Sequence, residues 1–431
     1  MGLSIGLAAS HADPSTNAVL VSSALVDQLM EEARTNNPAL RAADFRTVAA
    51  SFNSDAVRAW EDPMFMIGGS LFSSRGFSAS EEGDLTYGVE QKLPLWGRPK
   101  LTRRLAETEF SVRRADADLR YQQLRRDLIK ALFTTALASQ VVDVGEQDLA
   151  WLDTTEKAVE SRYRSGQAAI ADTLQVQNEF ARRRETLLTD RQRLGHAYIF
   201  LDRLVNRNTQ TEWPRLRMPA PMPSVAFSEQ MVALAMANEP RLKVMQQEIK
   251  QAEAMAELTR RTRLPDVSLG VEGKQFSGDG GFRAGMFKLS FSIPWGNARK
   301  YRSDYYREKA KQKAAELESQ DQELMVREQL HHLAIEIDGL GRDASLYDHE
   351  ILPRAAQALS SRLADWEAGR GSFRDVLDAR RMLLESQLLA ARAVSEHYQM
   401  VADLVLWIGL PELEALTRFQ PPTGSGSNAH P

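Results

Sequence analysis

The residues best placed by type to do chemistry are His331 and His332 with Glu336. His332 and Glu336 are four apart, the spacing that sets two ligands on one face of a helix. A metal centre needs a third ligand, and the His-Glu-x-x-His order is missing, so the pair reads as surface histidines. No metal and no cofactor is assigned. The chain has no cysteine, which removes disulfides, thiolate nucleophiles, Cys-ligated metals and an acylated lipoprotein cysteine. No phosphate loop, dinucleotide fingerprint or nucleophile elbow occurs, and GDGGF at 278–282 reads as a hairpin loop. Met64 and Met66 are the nearest the methionines come to a cluster, and strand residues explain them. Nothing here supports an enzyme.

Charge narrows the choice further. The 431 residues carry 54 basic and 58 acidic side chains, a net −4, which argues against a nucleic-acid binder. Arg182, Arg183 and Arg184 stand among acids such as Glu185 and Asp190, as on a solvated helix face. No run of about 18 apolar residues is evident, so a transmembrane helix is not expected. A membrane strand, with its weaker signal, stays open. The opening MGLSIGLAASHADP resembles the end of a secretory signal, assigned to residues 1–12, though without a basic leading segment.

The chain is a tandem duplication. Pro38 in Asn37-Pro38-Ala39-Leu40 returns as Pro240 in Glu239-Pro240-Arg241-Leu242, and Pro63 returns as Pro265, both offset by 202. Leu93-Pro94-Leu95-Trp96-Gly97 returns as Ile293-Pro294-Trp295-Gly296. Gly166, Asp172 and Leu174 return as Gly369, Asp375 and Leu377, offset by 203. The repeats fall at 13–208 and 227–410, with a linker at 209–226 and a flexible tail at 411–431.

Each repeat reads helix, strand, strand, long helix, turn, helix. Residues 13–61 are expected to be helical with a break near Pro38. Strands are expected at 64–73, 84–93, 266–276 and 284–293. Leu85, Tyr87, Val89 and Leu93 alternate with Thr86, Gly88, Glu90 and Lys92, and the second pair alternates likewise. A half-buried soluble sheet would alternate too. Strands of about 10 residues are nevertheless long enough to cross a bilayer when tilted. Four such strands cannot close a barrel in lipid, so several chains would have to share one.

The helices are unusually long. One is expected over 98–163, about 100 Å at 1.5 Å per residue, and another from 297 with a break near 353. Gly145 and Pro353 are expected to mark kinks or breaks. Leu101, Leu105, Val112, Ala115 and Leu119 follow coiled-coil spacing, as do Leu187, Leu194, Tyr198, Leu201 and Val205. In the second repeat Leu384, Leu388, Ala391, Tyr398, Val401, Val405 and Ile408 continue it.

Residues 163–177, YRSGQAAIADTLQVQ, and 366–380, WEAGRGSFRDVLDAR, share one pattern. An aromatic precedes Gly by three, Asp follows Gly by six, and an apolar residue lies two further on. With the joints VEQKLPLWGRPK and LSFSIPWGNARK, this resembles the TolC-like outer membrane factors over roughly residues 20–410. The PLWG joint and chain length are similar to the heavy-metal resistance branch.

The resemblance implies a mainly α fold with a small β part. Three protomers would each lend four strands to a 12-stranded transmembrane barrel in the outer membrane lipid, continued by an α-barrel in the periplasm. It implies a homotrimeric exit duct working with a periplasmic adaptor and an inner membrane pump, and carrying metal cations or otherwise drugs or small molecules. It places Gly166 and Gly369 in the periplasmic tip turns that meet the adaptor. Asp172, Trp366 and Arg370 would form the gate latch, with Trp366 where the family has tyrosine and Arg370 one residue before the family's arginine position. Asp375 and Asp378 would form an acidic ring at the pore constriction, although Asp375 also reads as a helix-start residue favoured by the dipole. The other reading of the long helices is a soluble coiled-coil scaffold that conducts nothing.

Overall fold

A computed structural model describes residues 18–57, 60–69, 84–209, 212–276, 280–411 and 413–419. The proposed signal remnant, most of the first strand-connecting loop and the end of the tail lie outside them. Two compact units emerge, and they do not follow the repeat boundary. One comprises Arg120–Pro240 with the segments up to Arg41 and from Leu324. The other comprises Ala42–Leu119 and Arg241–Glu323. Each unit draws on segments of both repeats.

In the helical unit, α1 (Ser23–Asn36) starts at Ser22, whose hydroxyl accepts from the Leu25 amide at 3.4 Å. A helix break does fall at Pro38, where α2 (Pro38–Ala56) begins. Proline suits that first position because its missing N–H has no helical partner anyway. Asn37 caps α2 through the Ala39 amide at 2.8 Å and donates to the Leu204 carbonyl at 2.7 Å. Residues 18–20, expected to be helical, form instead β1 (Ala18–Leu20). It pairs in parallel with β4 (Arg215–Arg217) of the linker. Partner strands 197 residues apart leave no local periodicity to read.

The helices α3 (Arg98–Arg164) and α4 (Ile170–Val205) recur as α7 (Ala298–Leu346) with α8 (Leu352–Glu367), and α9 (Phe373–Ile408). Shorter α5 (Glu229–Asn238) and α6 (Pro240–Arg261) repeat α1 and α2. α3 runs through Gly145 unbroken, contrary to the expected kink. The glycine is there for closeness, since a Cβ on it would lie 2.9 Å from the Leu187 side chain of α4. The break near Pro353 is a π-turn, Tyr347–Ile351, which accommodates the proline at the start of α8.

Of the coiled-coil positions, Val112, Leu119, Leu187, Leu201, Val205, Ala391, Tyr398, Val401, Val405 and Ile408 are buried. An 18-residue window of α3 does pass the length and apolarity test for a spanning helix, against expectation. Its apolarity belongs to the core, where Leu128, Ile129, Leu132, Phe133 and Ala136 are fully covered. The Phe133 ring stacks on Tyr398 at 4.3 Å. The tail departs from expectation as well. Leu413, Leu416 and Phe419 are buried around a 3-10 turn (Glu414–Phe419), and the Phe419 carbonyl accepts from the Ala226 amide.

His397 sits fully buried beside these aromatics and donates from Nδ1 to the Ile337 carbonyl at 3.1 Å. Its Nε2 has no hydrogen-bond partner among the described residues, so a proton there would be a buried, unsolvated charge. Burial therefore holds the imidazole below its ordinary range, with the Ile337 bond opposing only in part. The unfolded chain takes up that proton near pH 6.5 while the folded chain does not. This contribution to stability should be complete above about pH 6.5 and fall as the pH drops toward the depressed folded value. Urea midpoints at pH 7.5 and 5.5 check this, and His397→Asn should flatten the difference. An equal slope in the variant would remove His397 as its source.

The second unit holds a four-stranded antiparallel sheet in the order β2 (Met64–Gly69), β3 (Asp84–Lys92), β5 (Val267–Phe276) and β6 (Phe282–Phe291). β3 runs into α3, and β6 into α7 through a 3-10 turn (Pro294–Asn297). Among the described residues, the outer strands β2 and β6 each present an unpaired edge.

Candidate functional site: two helical turns and a sheet with one apolar face

The two turns close the same way. Gly166 and Gly369 adopt φ of +74° and +71°. The Gly166 amide bonds the Tyr163 carbonyl at 2.9 Å and Gln167 the Arg162 carbonyl at 2.8 Å. Gly369 bonds Trp366 at 3.0 Å and Arg370 bonds Asp365 at 2.8 Å. This is the paired-bond helix ending that needs a left-handed residue. A Cβ at either glycine would meet nothing within 4 Å, so backbone conformation rather than space selects glycine.

Within one chain the three latch residues are not joined. Trp366 is buried among Leu152, Val159, Val176, Phe373, Val376 and Leu377. Its ring lies 5.2 Å from Phe373, and the Arg162 guanidinium sits over it at 4.4 Å. Arg162 also donates to the Glu367 carbonyl at 3.1 Å, tying the end of α3 to the end of α8. Arg370 turns to Asp365 at 3.4 Å. Asp172, in the first turn of α4, has no side-chain hydrogen bond or ion pair with the described residues. Arg162 is thus a residue of the turn region that the repeated motif does not single out. Its role depends on which ring lies beneath it, which spacing along one segment does not record.

The two acidic residues of α9 differ. Asp375 is exposed, and its amide donates to the Ser372 cap hydroxyl at 3.4 Å. Its carboxylate has no ion-pair partner among the described residues, and it lies where the helix dipole favours a negative charge. Asp378 stands between Arg374 at 3.9 Å and Arg381 at 3.2 Å, and Arg381 also holds Glu179. The helix α9 is pinned one step deeper by Asp148 of α3, which is buried. It meets Arg183 of α4 at 3.3 Å and Arg380 of α9 at 2.9 Å.

His331 and His332 are exposed, and His331 packs edge-on to Phe227 at 5.1 Å. Among the described residues no three His, Asp or Glu side chains are placed to share a metal ion.

In the sheet, register carries the alternation across all four strands. Ile67 pairs Tyr87, Phe65 pairs Val89, Val89 pairs Val271, Val271 pairs Phe287, Leu269 pairs Leu289 and Val267 pairs Phe291. Directly paired residues share a face, so these residues form one apolar surface. It is uncovered: Ile67 is 70% exposed, Phe287 72% and Leu289 56%. The other face is mostly polar, with Met64, Met66 and Met286 among its residues. Glu90 accepts from Ser268 and pairs Lys288 at 3.5 Å, while Lys92 pairs Glu61 at 2.9 Å. A soluble sheet does the reverse, covering its apolar face and wetting the polar one. This arrangement suits hydrocarbon outside and water within.

A family model described as outer membrane efflux protein matches residues 29–207 and 231–410. Among curated proteins, no sequence matches. Several solved structures are similar in fold. VceC, an outer membrane protein of Vibrio cholerae, is 18% identical, with a TM-score of 0.74 over 90% of this chain and 96% of that one. CusC, whose structures concern transmembrane channel formation, is 17% identical with a TM-score of 0.76, covering 89% and 92%. The CmeC outer membrane channel of Campylobacter jejuni is 13% identical with a TM-score of 0.75, covering 89% and 85%.

Proposed function

This chain belongs to the outer membrane efflux protein family, whose members are passive channels of the outer membrane rather than enzymes, and on that footing we propose how it makes its duct. Three copies each contribute β2, β3, β5 and β6 to one closed 12-stranded barrel. Their helices continue the wall into the periplasm, where the Gly166 and Gly369 turns meet an adaptor that connects to an inner membrane pump. The observation that carries this reading is the sheet with an uncovered apolar face, a mostly polar reverse and two open edges. Open edges are not tolerated in lipid, and pairing β6 of one copy with β2 of the next removes both. The helices also leave Leu188, Ile199, Leu324 and Ile335 exposed, as surfaces awaiting other copies do. A soluble scaffold would have no use for such a sheet.

The cargo is proposed to be small molecules, metal cations among them, passing a neck lined by acidic side chains. Of the two carboxylates, Asp375 supplies most of the field, because Asp378 is already flanked by two arginines. Asp375→Asn should therefore lower cation selectivity and block by multivalent cations more than Asp378→Asn does. Reversal potentials across a salt gradient in planar bilayers measure this, and equal, negligible shifts would leave both aspartates structural. The duct itself is tested by the mass of the detergent-extracted protein from isolated outer membranes. A particle of three times the 48.3 kDa chain mass supports the shared barrel, and a soluble single chain sinks it.

A further inference from the structure

The duplication provides two strand-to-helix joints, and their cations are treated differently. At the first, Arg98 is fully engaged, donating to the carbonyls of Arg261, Thr262 and Leu264 and pairing with Asp266. The indole of Trp96 donates to the Pro265 carbonyl at 2.7 Å. At the second joint, Trp295, the counterpart of Trp96, is 65% exposed. Neither its indole nor the guanidinium of Arg263 or Arg302 has a hydrogen bond or ion pair with the described residues. These three groups line an open cleft of about 530 Å³ with Tyr301, Tyr305 and Tyr306, and no carboxylate lines it. The remaining arginine, Arg260, is taken up by Glu257 at 2.8 Å, and nearby Asp304 by Arg307 at 2.9 Å. Unspent donors and positive charge therefore face the cleft.

Its position says which anion. Phe287, Leu289, Phe291 and Ile293 are all exposed along β6 and just beyond, and Trp295 follows two residues on. The cleft thus begins where the apolar band of the sheet ends. Tryptophan and tyrosine with an apolar body and a polar tip favour the boundary between hydrocarbon and water. Guanidinium groups there bind phosphate oxygens, often two at a time.

We propose that the cleft of Trp295, Tyr301, Tyr305, Tyr306, Arg263 and Arg302 holds the phosphate of an anionic glycerophospholipid at the membrane boundary. This rests on the sheet being the membrane-spanning part. Arg263 and Arg302 clasp the phosphate, the indole N–H donates to it or to the glycerol ester, and the rings flank the upper acyl chain.

The test is native mass spectrometry of the detergent-extracted protein, titrated with phosphatidylglycerol or phosphatidylcholine. Wild type should retain phosphatidylglycerol in preference to phosphatidylcholine, and Arg263→Gln with Arg302→Gln should weaken that retention about tenfold or more, as expected for two lost charge-assisted contacts. Millimolar inorganic phosphate should not displace the lipid. No preference between the lipids, an unchanged preference in the double variant, or displacement by free phosphate would each overturn the proposal. So would a double variant that no longer assembles like wild type, since the cleft would then be a contact between copies. The same spectra count chains: a wild type running as one chain sinks the shared barrel, whereas a trimer without lipid preference sinks only the lipid site.

Discussion

Leu289→Lys should cut insertion of the chain into the outer membrane, at a cost of about 2–4 kcal/mol if the residue lies near the bilayer midplane. Leu289 is central in β6, is paired with Leu269 and is exposed on the apolar face. Lysine there places an ammonium against hydrocarbon, where only snorkelling along its stem relieves the charge. The adjacent Ser290, paired with Ser268 on the polar face, is the control. Ser290→Lys should insert almost normally, because its ammonium reaches the water-filled side. The measurement is the protein fraction recovered in outer membranes, followed by urea unfolding in liposomes for whatever inserts. If both lysines behave alike, the two faces of the sheet have been assigned wrongly. If only Ser290→Lys fails, they are reversed.

Much of this sheet was legible in the chain, because a strand's two faces are written in its own alternation and the duplication wrote the pattern twice. The glycine turns were legible for a similar reason: one backbone conformation is required, and one residue type supplies it cheaply. What was not legible depends on partners far apart in sequence. β1 and β4 are three-residue strands that exist only by pairing with each other. Leu413, Leu416 and Phe419 look like a tail until the fold brings a surface to bury them. Asp148 reads as one more acid on a polar helix face, yet it is buried between Arg183 and Arg380. Gly145 shows the same limit from the other side. A glycine within a helix suggests a kink by propensity, but here it marks where α4 comes close. The apolar window in α3 has the composition of a membrane span, and only its burial reveals a core.

The tip carries the other large effect. Trp366→Ala should destabilise the closed turn region by about 3–5 kcal/mol, the range for emptying a buried tryptophan site. Phe373 loses a ring neighbour and Arg162 loses the π face beneath it. Trp366→Phe should recover most of the packing but less of the cation contact, since tryptophan is the better acceptor of a cation. Asp172→Ala alone should cost only about 0.3–1 kcal/mol, the value of an acid in a helix's first turn. In planar bilayers, Trp366→Ala should raise the resting conductance, and in cells it should admit large hydrophilic antibiotics. The double variant separates two kinds of latch. Residues without contact add within about 0.5 kcal/mol, so a single-chain tip predicts additive effects of Asp172→Ala and Trp366→Ala on conductance. A coupling well above that would mean that Asp172 meets Trp366 of another copy, making the latch a seam between protomers. Unchanged conductance in Trp366→Ala would remove the tip from gating altogether, leaving its buried tryptophan as support for the turn alone.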